Sequence, residues 1–246
     1  MLMELNRDMD EKFYRLEQSE LARKNTFSNI THDLRAPVAV IRGAVERLSN
    51  DNIGKEERKG LLRIIDSRTM VLEQLVNDMY LSMLVNQPEF SLNLSCLEIA
   101  PLLEEYFISM KGAGRLDNRN SHLIIPGGFS SRAMIDSKYF LRVLDNLFSN
   151  AIRHTKPGEI IEMGCRDIGN QIEIYVQDSG TGIPTDDIPY IFDRTYSGER
   201  ARTPGKAGSG LGLSIAKSIM EKHNGSINFH SVYGNGATFI VTLAAV

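Results

Sequence analysis

Cysteine is scarce in this 246-residue sequence, with only Cys96 and Cys165 present. They are far apart, and neither has a second Cys or a suitably spaced His nearby, so a zinc site and a disulfide framework are both disfavoured. Two buried thiols in a reducing compartment is the expectation. Long apolar runs are missing as well. No stretch approaches the ~18 residues that a membrane span requires, and the start lacks the pattern of a secretory signal. Charge imbalance is also small, with a formal net charge of -3. That gives no concentrated basic surface for nucleic acid. Internal repeats are absent.

What remains is the composition of a globular protein, 42% hydrophobic and 24% charged, able to bury a sizeable core. The opening, Met3-Glu-Leu-Asn-Arg-Asp-Met-Asp-Glu-Lys-Phe13, is polar and helical. A charged amphipathic helix of this kind needs a partner, so the chain is expected to be the intracellular piece of something longer.

Residues 1–50 read as one long helix. Phe27, Ile30, Leu34, Val38, Ile41, Val45 and Leu48 recur in steps of three and four. Turn formers at Asn50–Gly54 interrupt it. A second helix is expected from Lys55 to Asn86, its stripe formed by Leu61, Ile64, Ile65, Leu72, Leu75, Val76 and Met79. One antiparallel hairpin cannot cover both stripes, so a homodimeric four-helix bundle is the expectation. Pro88 marks a boundary. Beyond it, strands are predicted at Phe90–Leu94, His122–Ile125, Ile160–Arg166, Gln171–Asp178, Gly225–Ser231 and Ala237–Leu243. Helices are predicted at Ile99–Met110, Lys138–Thr155 and Gly212–Asn224. Strands with helices mostly on one face predict a two-layer α/β sandwich, making the whole chain α+β. Thr195–Gly208 reads as a mobile loop.

His32 lies about 140° around the first helix from Phe27 at 100° per residue, away from the stripe. Asp33 follows it, and a carboxylate there could hold one ring N–H and leave the other nitrogen nucleophilic. Pro37 sits mid-helix, where it costs about 3 kcal/mol and removes the bond to the Asp33 carbonyl. The segment Phe27-Ser-Asn-Ile-Thr-His32-Asp-Leu-Arg-Ala-Pro37-Val resembles the H-box of two-component sensor histidine kinases. The preceding residues 1–26 are similar to the end of a HAMP-type signalling helix. The resemblance therefore implies upstream membrane and sensor segments, and a cytoplasmic portion of a cell-membrane protein.

Four more clusters follow in order. Asn146, Asn150 and Arg153 step by four and three, and so share a helix face. An amide oxygen there suits Mg²⁺, and an arginine suits phosphate. Leu141–Thr155 resembles the N-box, which implies that Asn146 holds Mg²⁺ and that His154 packs near the nucleotide. Asp178-Ser-Gly180-Thr-Gly182-Ile183-Pro resembles the G1 box, whose Asp reads the adenine amino group. Ile191-Phe192-Asp193-Arg194-Thr195-Tyr196 resembles the F-box, with Thr195 in place of an aromatic. Gly208-Ser-Gly210-Leu211-Gly212 resembles the G2 box, a glycine-rich turn entering a helix N-terminus, where backbone N–H groups favour an anion. Gly234-Asn-Gly236-Ala-Thr238 is a weaker echo of a last glycine motif.

The implied domains are a signalling linker at 1–26, a dimerisation and phosphotransfer hairpin at 27–87, and a Bergerat-type ATP-binding domain at 88–246. The implied chemistry is phosphorylation of His32 from ATP and Mg²⁺, followed by transfer to an Asp of a response regulator. Ala36 occupies a position where the family usually has Thr or Asn, which implies weak phosphatase activity. Two rivals stay open: an ATPase of the same superfamily using water as acceptor, and a non-catalytic scaffold. The H-box hairpin argues against the first, and the filled key positions argue against the second.

Overall fold

The computed structural model describes residues 28, 31, 33–50, 53–193 and 210–246. Expectations for the 1–26 linker and for Phe27, His32, Thr195, Tyr196 and Gly208 lie outside them. Two compact units divide the chain. One contains the helical hairpin; the other comprises Leu81–Phe192 and Gly212–Val246.

In the helical unit, α1 covers 33–48 and α2 covers Lys55–Leu84. Pro37 does not interrupt α1 and is buried, as is Ala44. The predicted stripe is split. Leu34, Ile41 and Leu48 are half-buried, whereas Val38 and Val45 are 50% and 48% exposed. On α2, Leu61, Ile65, Leu72, Leu75 and Met79 are half-buried, while Val76 and Tyr80 stay exposed.

The α/β unit runs β1 Ser95–Glu98, α3 Ile99–Gly112, β2 Asn120–Ile124, β3 Arg132–Ile135, α4 Ser137–His154, β4 Ile160–Ile168 and β5 Gln171–Asp178. A 3₁₀ helix at Thr185–Tyr190, α5 Gly212–Lys222, β6 Ser226–Ser231 and β7 Ala237–Ala244 complete it. A five-stranded sheet has the order β2-β4-β5-β7-β6, and β1 pairs with β3 in a separate ribbon. Only β2 and β4 run parallel within the large sheet.

Strand alternation shows which face the helices cover. On β5, Ile172, Ile174, Val176 and Asp178 are buried, whereas Glu173 and Tyr175 are half-exposed. Period-two burial is what a sheet packed on one side requires. Phe140, Leu144, Leu147 and Phe148 of α4, with Ile215 and Ile219 of α5, fill the layer above it. Each such side chain contributes about 1.5–3 kcal/mol by leaving water.

Two expectations are corrected. The strand at Phe90–Leu94 does not form; pairing begins at Ser95. Phe90 stands edge-on to Tyr139 at 5.1 Å, and the Asn93 N–H goes to the Asp136 carboxylate at 2.9 Å rather than to a strand neighbour. Of the two thiols only Cys165 is buried; Cys96 is exposed on the β1 ribbon.

Candidate functional site

Helix α4 supplies the frame of the site. Asp136 precedes it in extended backbone and accepts from the Tyr139 N–H at 3.3 Å, the side-chain cap that the free N–H groups of a helix start need. Its own N–H donates at 3.0 Å to Nε2 of His223, just past the end of α5. The other ring nitrogen of His223 then carries the proton and donates to the Ile219 carbonyl at 2.9 Å. Burial holds this imidazole below its usual pKa, in the neutral form those two bonds need.

Along α4, Asn146 is buried, Asn150 half-buried and Arg153 exposed, a face graded from interior to surface. The Asn146 Nδ2 is fully buried without a hydrogen-bond partner. Its Oδ1 faces the start of α5, where a Cβ on Gly212 would stand 3.3 Å away. A buried amide with one orphaned end is unusual, because the desolvation cost of an unmade bond is about 1–3 kcal/mol. The same side chain carries an amide oxygen, the kind of donor atom that suits the oxygen-seeking Mg²⁺ that the sequence implies.

The C-terminal end of α4 meets the Asp178–Pro184 loop. The His154 carbonyl accepts from the Thr181 N–H at 3.4 Å, and a Cβ on Gly180 would overlap that carbonyl. Glycine at 180 is therefore a matter of contact. The loop's far side rests on the β6–β7 turn. Ser231 Oγ accepts from the Ile183 N–H at 2.8 Å and donates to the Gly236 carbonyl at 2.9 Å, and Gly234 N–H reaches the Thr181 carbonyl at 2.8 Å. Gly236, with φ of 88°, passes so close to the Asp178 carbonyl that no side chain fits. The weak glycine echo at 234–236 is thus the floor of the loop. Thr238, half-buried, pairs in register with Gln177.

Asp178 is 4% exposed at the end of β5. Burial pushes its carboxyl up to about 6, while the N–H groups of Gly180 and Ala237 pull it back. Its Oδ1 accepts from Gly180 N–H at 2.9 Å. A buried carboxylate next to a glycine loop can read an amino group of a ligand.

Phe192 lies edge-on to Phe229 at 5.9 Å with Lys217 Nζ 5.7 Å above it, which anchors the end of the 185–193 segment. Gly210 has φ of 63° and Leu211 is buried. Asp33 is half-buried and Ala36 exposed on α1. Of the sequence-predicted residues, α4 thus brings Asn146 to Gly212 and His154 to Gly180, while Asp178 meets Gly236. Ser231, which pins Ile183, was missed by sequence reasoning because a single Ser ending a strand carries no motif.

Residues 22–87 match the His Kinase A (phospho-acceptor) domain, and residues 135–246 match the histidine kinase-, DNA gyrase B-, and HSP90-like ATPase family. The chain is 33% identical over 222 residues to the sensor protein SrrB of Staphylococcus aureus (strain NCTC 8325 / PS 47). That alignment takes in 90% of this chain and 38% of the relative's length. Among solved structures, histidine kinase ThkA in complex with response regulator protein TrrA superposes with a TM-score of 0.71 at 22% identity, over 95% of this chain and 66% of that one. Acinetobacter baumannii histidine kinase AdeS gives 0.65 at 20% identity, over 87% and 97%. At such identities the structural likeness is one of fold. A phospho-acceptor hairpin followed by an ATPase sandwich, in this order and over most of the residues, makes the chain a member of the sensor histidine kinase family.

Proposed function

We propose that this chain phosphorylates its own His32 from ATP and then passes the phosphoryl group to an Asp of a response regulator. Asp178 accepts from the adenine amino group. Asn146 would hold Mg²⁺ through its amide oxygen, where the ion would offset phosphate charge. Arg153 and the residues 208–212 meet the phosphates; Asn150 and His154 border them. A neutral ring nitrogen of His32 forms the new P–N bond as the bond between the γ-phosphorus and the bridging oxygen breaks, leaving ADP. Asp33 steadies the ring, and most of the rate gain is positioning and charge neutralisation.

The hairpin works as a homodimer, and the chain is the cytoplasmic portion of a membrane-anchored sensor. Ala36 makes it a poor phosphatase. The observation that carries the reading is the orphaned Asn146 amide beside Gly212, a buried polar end that calls for a ligand.

The test is labelling with γ-labelled ATP. Acid-labile, alkali-stable label should appear on the wild type and vanish in His32→Gln, and Asn146→Asp and Asp178→Asn should abolish it with the fold intact. Undiminished label in Asp178→Asn would sink the site assignment. Phosphate release without His32 label would favour a water-using ATPase instead.

A further inference from the structure

The last turn of α4 ends in carbonyls that helix geometry leaves without partners. Arg119, in the turn between α3 and β2, meets them. Its Nη2 donates to the Ile152 carbonyl at 2.8 Å and to the Thr155 carbonyl at 3.2 Å, and its Nε donates to Thr155 Oγ1 at 2.8 Å. The Thr155 hydroxyl in turn donates a hydrogen bond to the Ala151 carbonyl at 2.7 Å. A guanidinium fork engages three oxygens at a helix C-terminus, where its charge also complements the dipole.

Arg119 is itself held in place. Its N–H bonds to the carbonyl of Leu116, whose side chain is buried in the core. On either side of it, the Asn118 carbonyl accepts from the Gly158 N–H at 2.6 Å, and Asn120 bonds to Glu159 and Gly158. The 118–120 segment is therefore wound onto the 155–159 turn, with the guanidinium as its fastening.

His154 lies between the two clamped residues Ile152 and Thr155, and its carbonyl is the one against which Gly180 and Thr181 are seated. We infer that Arg119 is a positioning residue for nucleotide binding: it fixes the end of α4 so that the His154 carbonyl seats the Asp178–Pro184 loop. Without the fork, the last turn of α4 frays, the loop loses its backstop and the adenine side of the site loosens. The phosphate side, built from Asn146 nearer the middle of α4, stays in place. This inference rests on the ATP-site reading above.

The experiment measures KM for ATP, kcat for His32 phosphorylation and thermal stability in Arg119→Ala, Arg119→Lys and Asp178→Asn. Arg119→Ala should raise KM about tenfold, the value of roughly one charge-assisted bond, with kcat at saturating ATP nearly unchanged. Arg119→Lys, which keeps the charge and one donor, should fall between. A lowered kcat with unchanged KM would mean only that fewer molecules fold, and would overturn the inference. Should Arg119→Ala not fold, Arg119→Lys carries the same test: unchanged KM overturns the inference, raised KM supports it. If Asp178→Asn binds ATP like the wild type, the site reading itself fails. If Asp178→Asn loses ATP while the Arg119 variants keep wild-type KM, only the Arg119 inference falls.

Discussion

Asp178 carries opposing demands in one carboxyl group. Its folded pKa of about 6 exceeds the roughly 3.9 of an unfolded Asp. The folded state therefore holds a proton more tightly than the unfolded chain, so this group's stabilising effect is full below about pH 4 and lost as pH rises through 6. The lost increment is on the order of 2–3 kcal/mol. The adenine contact proposed for Asp178 would need the ionised form that folding disfavours. Asp178→Asn should accordingly raise the melting temperature of the nucleotide-free protein at pH 8 and leave it nearly unchanged at pH 4.5. An equal shift at both pH values would show that ionisation is not what costs stability. In the wild type, nucleotide affinity should drop about tenfold from pH 7 to pH 5, as the ionised fraction falls. Binding is the proper readout, since a rate of phosphorylation would also depend on the protonation of the acceptor histidine. Ala36 belongs to the same scale. Exposed on α1, it has no side-chain hydrogen bond with which to orient water, so Ala36→Thr should shorten the lifetime of phosphate on a cognate regulator. A wild-type chain that already strips the regulator as fast as Ala36→Thr would overturn that reading.

Elements in this fold are joined by side chains that no local pattern announces. The N–H of Asp136 ends on the His223 ring and its carboxylate caps α4, so one junction ties the start of α4 to the end of α5. His223→Leu leaves that buried N–H unpaired, at a cost of about 1–3 kcal/mol. Because burial lowers the folded pKa of His223, its contribution is present above the unfolded value of about 6.5 and lost as pH falls below it. The stability gap between wild type and His223→Leu, read by denaturant unfolding, should therefore be wider at pH 7.5 than at pH 5.5. A gap independent of pH would reject the neutral-ring assignment. The same junction explains what was readable in advance. β5 matches its expected span of Gln171–Asp178 because alternation over eight residues is a strong local signal. β3, Arg132–Ile135, was missed: four residues containing Arg and Ala acquire strand character only by pairing with β1, more than thirty positions earlier. Phe90–Leu94 was misread for the complementary reason, since its aromatic and its N–H are spent on α4. The glycine boxes and Asn146 were legible as motifs, whereas Arg119 and Ser231 act through backbone groups distant in sequence, where spacing carries no information.

At the scale of the whole molecule, the hairpin leaves apolar surface that one chain does not cover. Val38, Val45, Val76 and Tyr80 are each about half exposed or more, although the first three fall within the helical stripes read from sequence. Pro37 and Ala44 are buried beside them, so the inner half of the α1 stripe is satisfied within the chain and the outer half is not. Two amphipathic helices can close only one seam between themselves; a second copy would close the other, as in four-helix bundles. Mutual burial of such a face at roughly 25 cal/mol per Å² favours association, and a charge placed in it opposes association by its desolvation cost. Val45→Glu combined with Val76→Glu should therefore convert a dimer into a monomer in sedimentation equilibrium, with the ATP-binding unit still folded. Nucleotide affinity should be unchanged, because Asn146 and the Asp178–Pro184 loop lie wholly in the other unit. A wild-type chain already monomeric at micromolar concentration would remove the need for the seam. Loss of nucleotide binding in the double variant would show instead that the two units are coupled more tightly than their separate cores require.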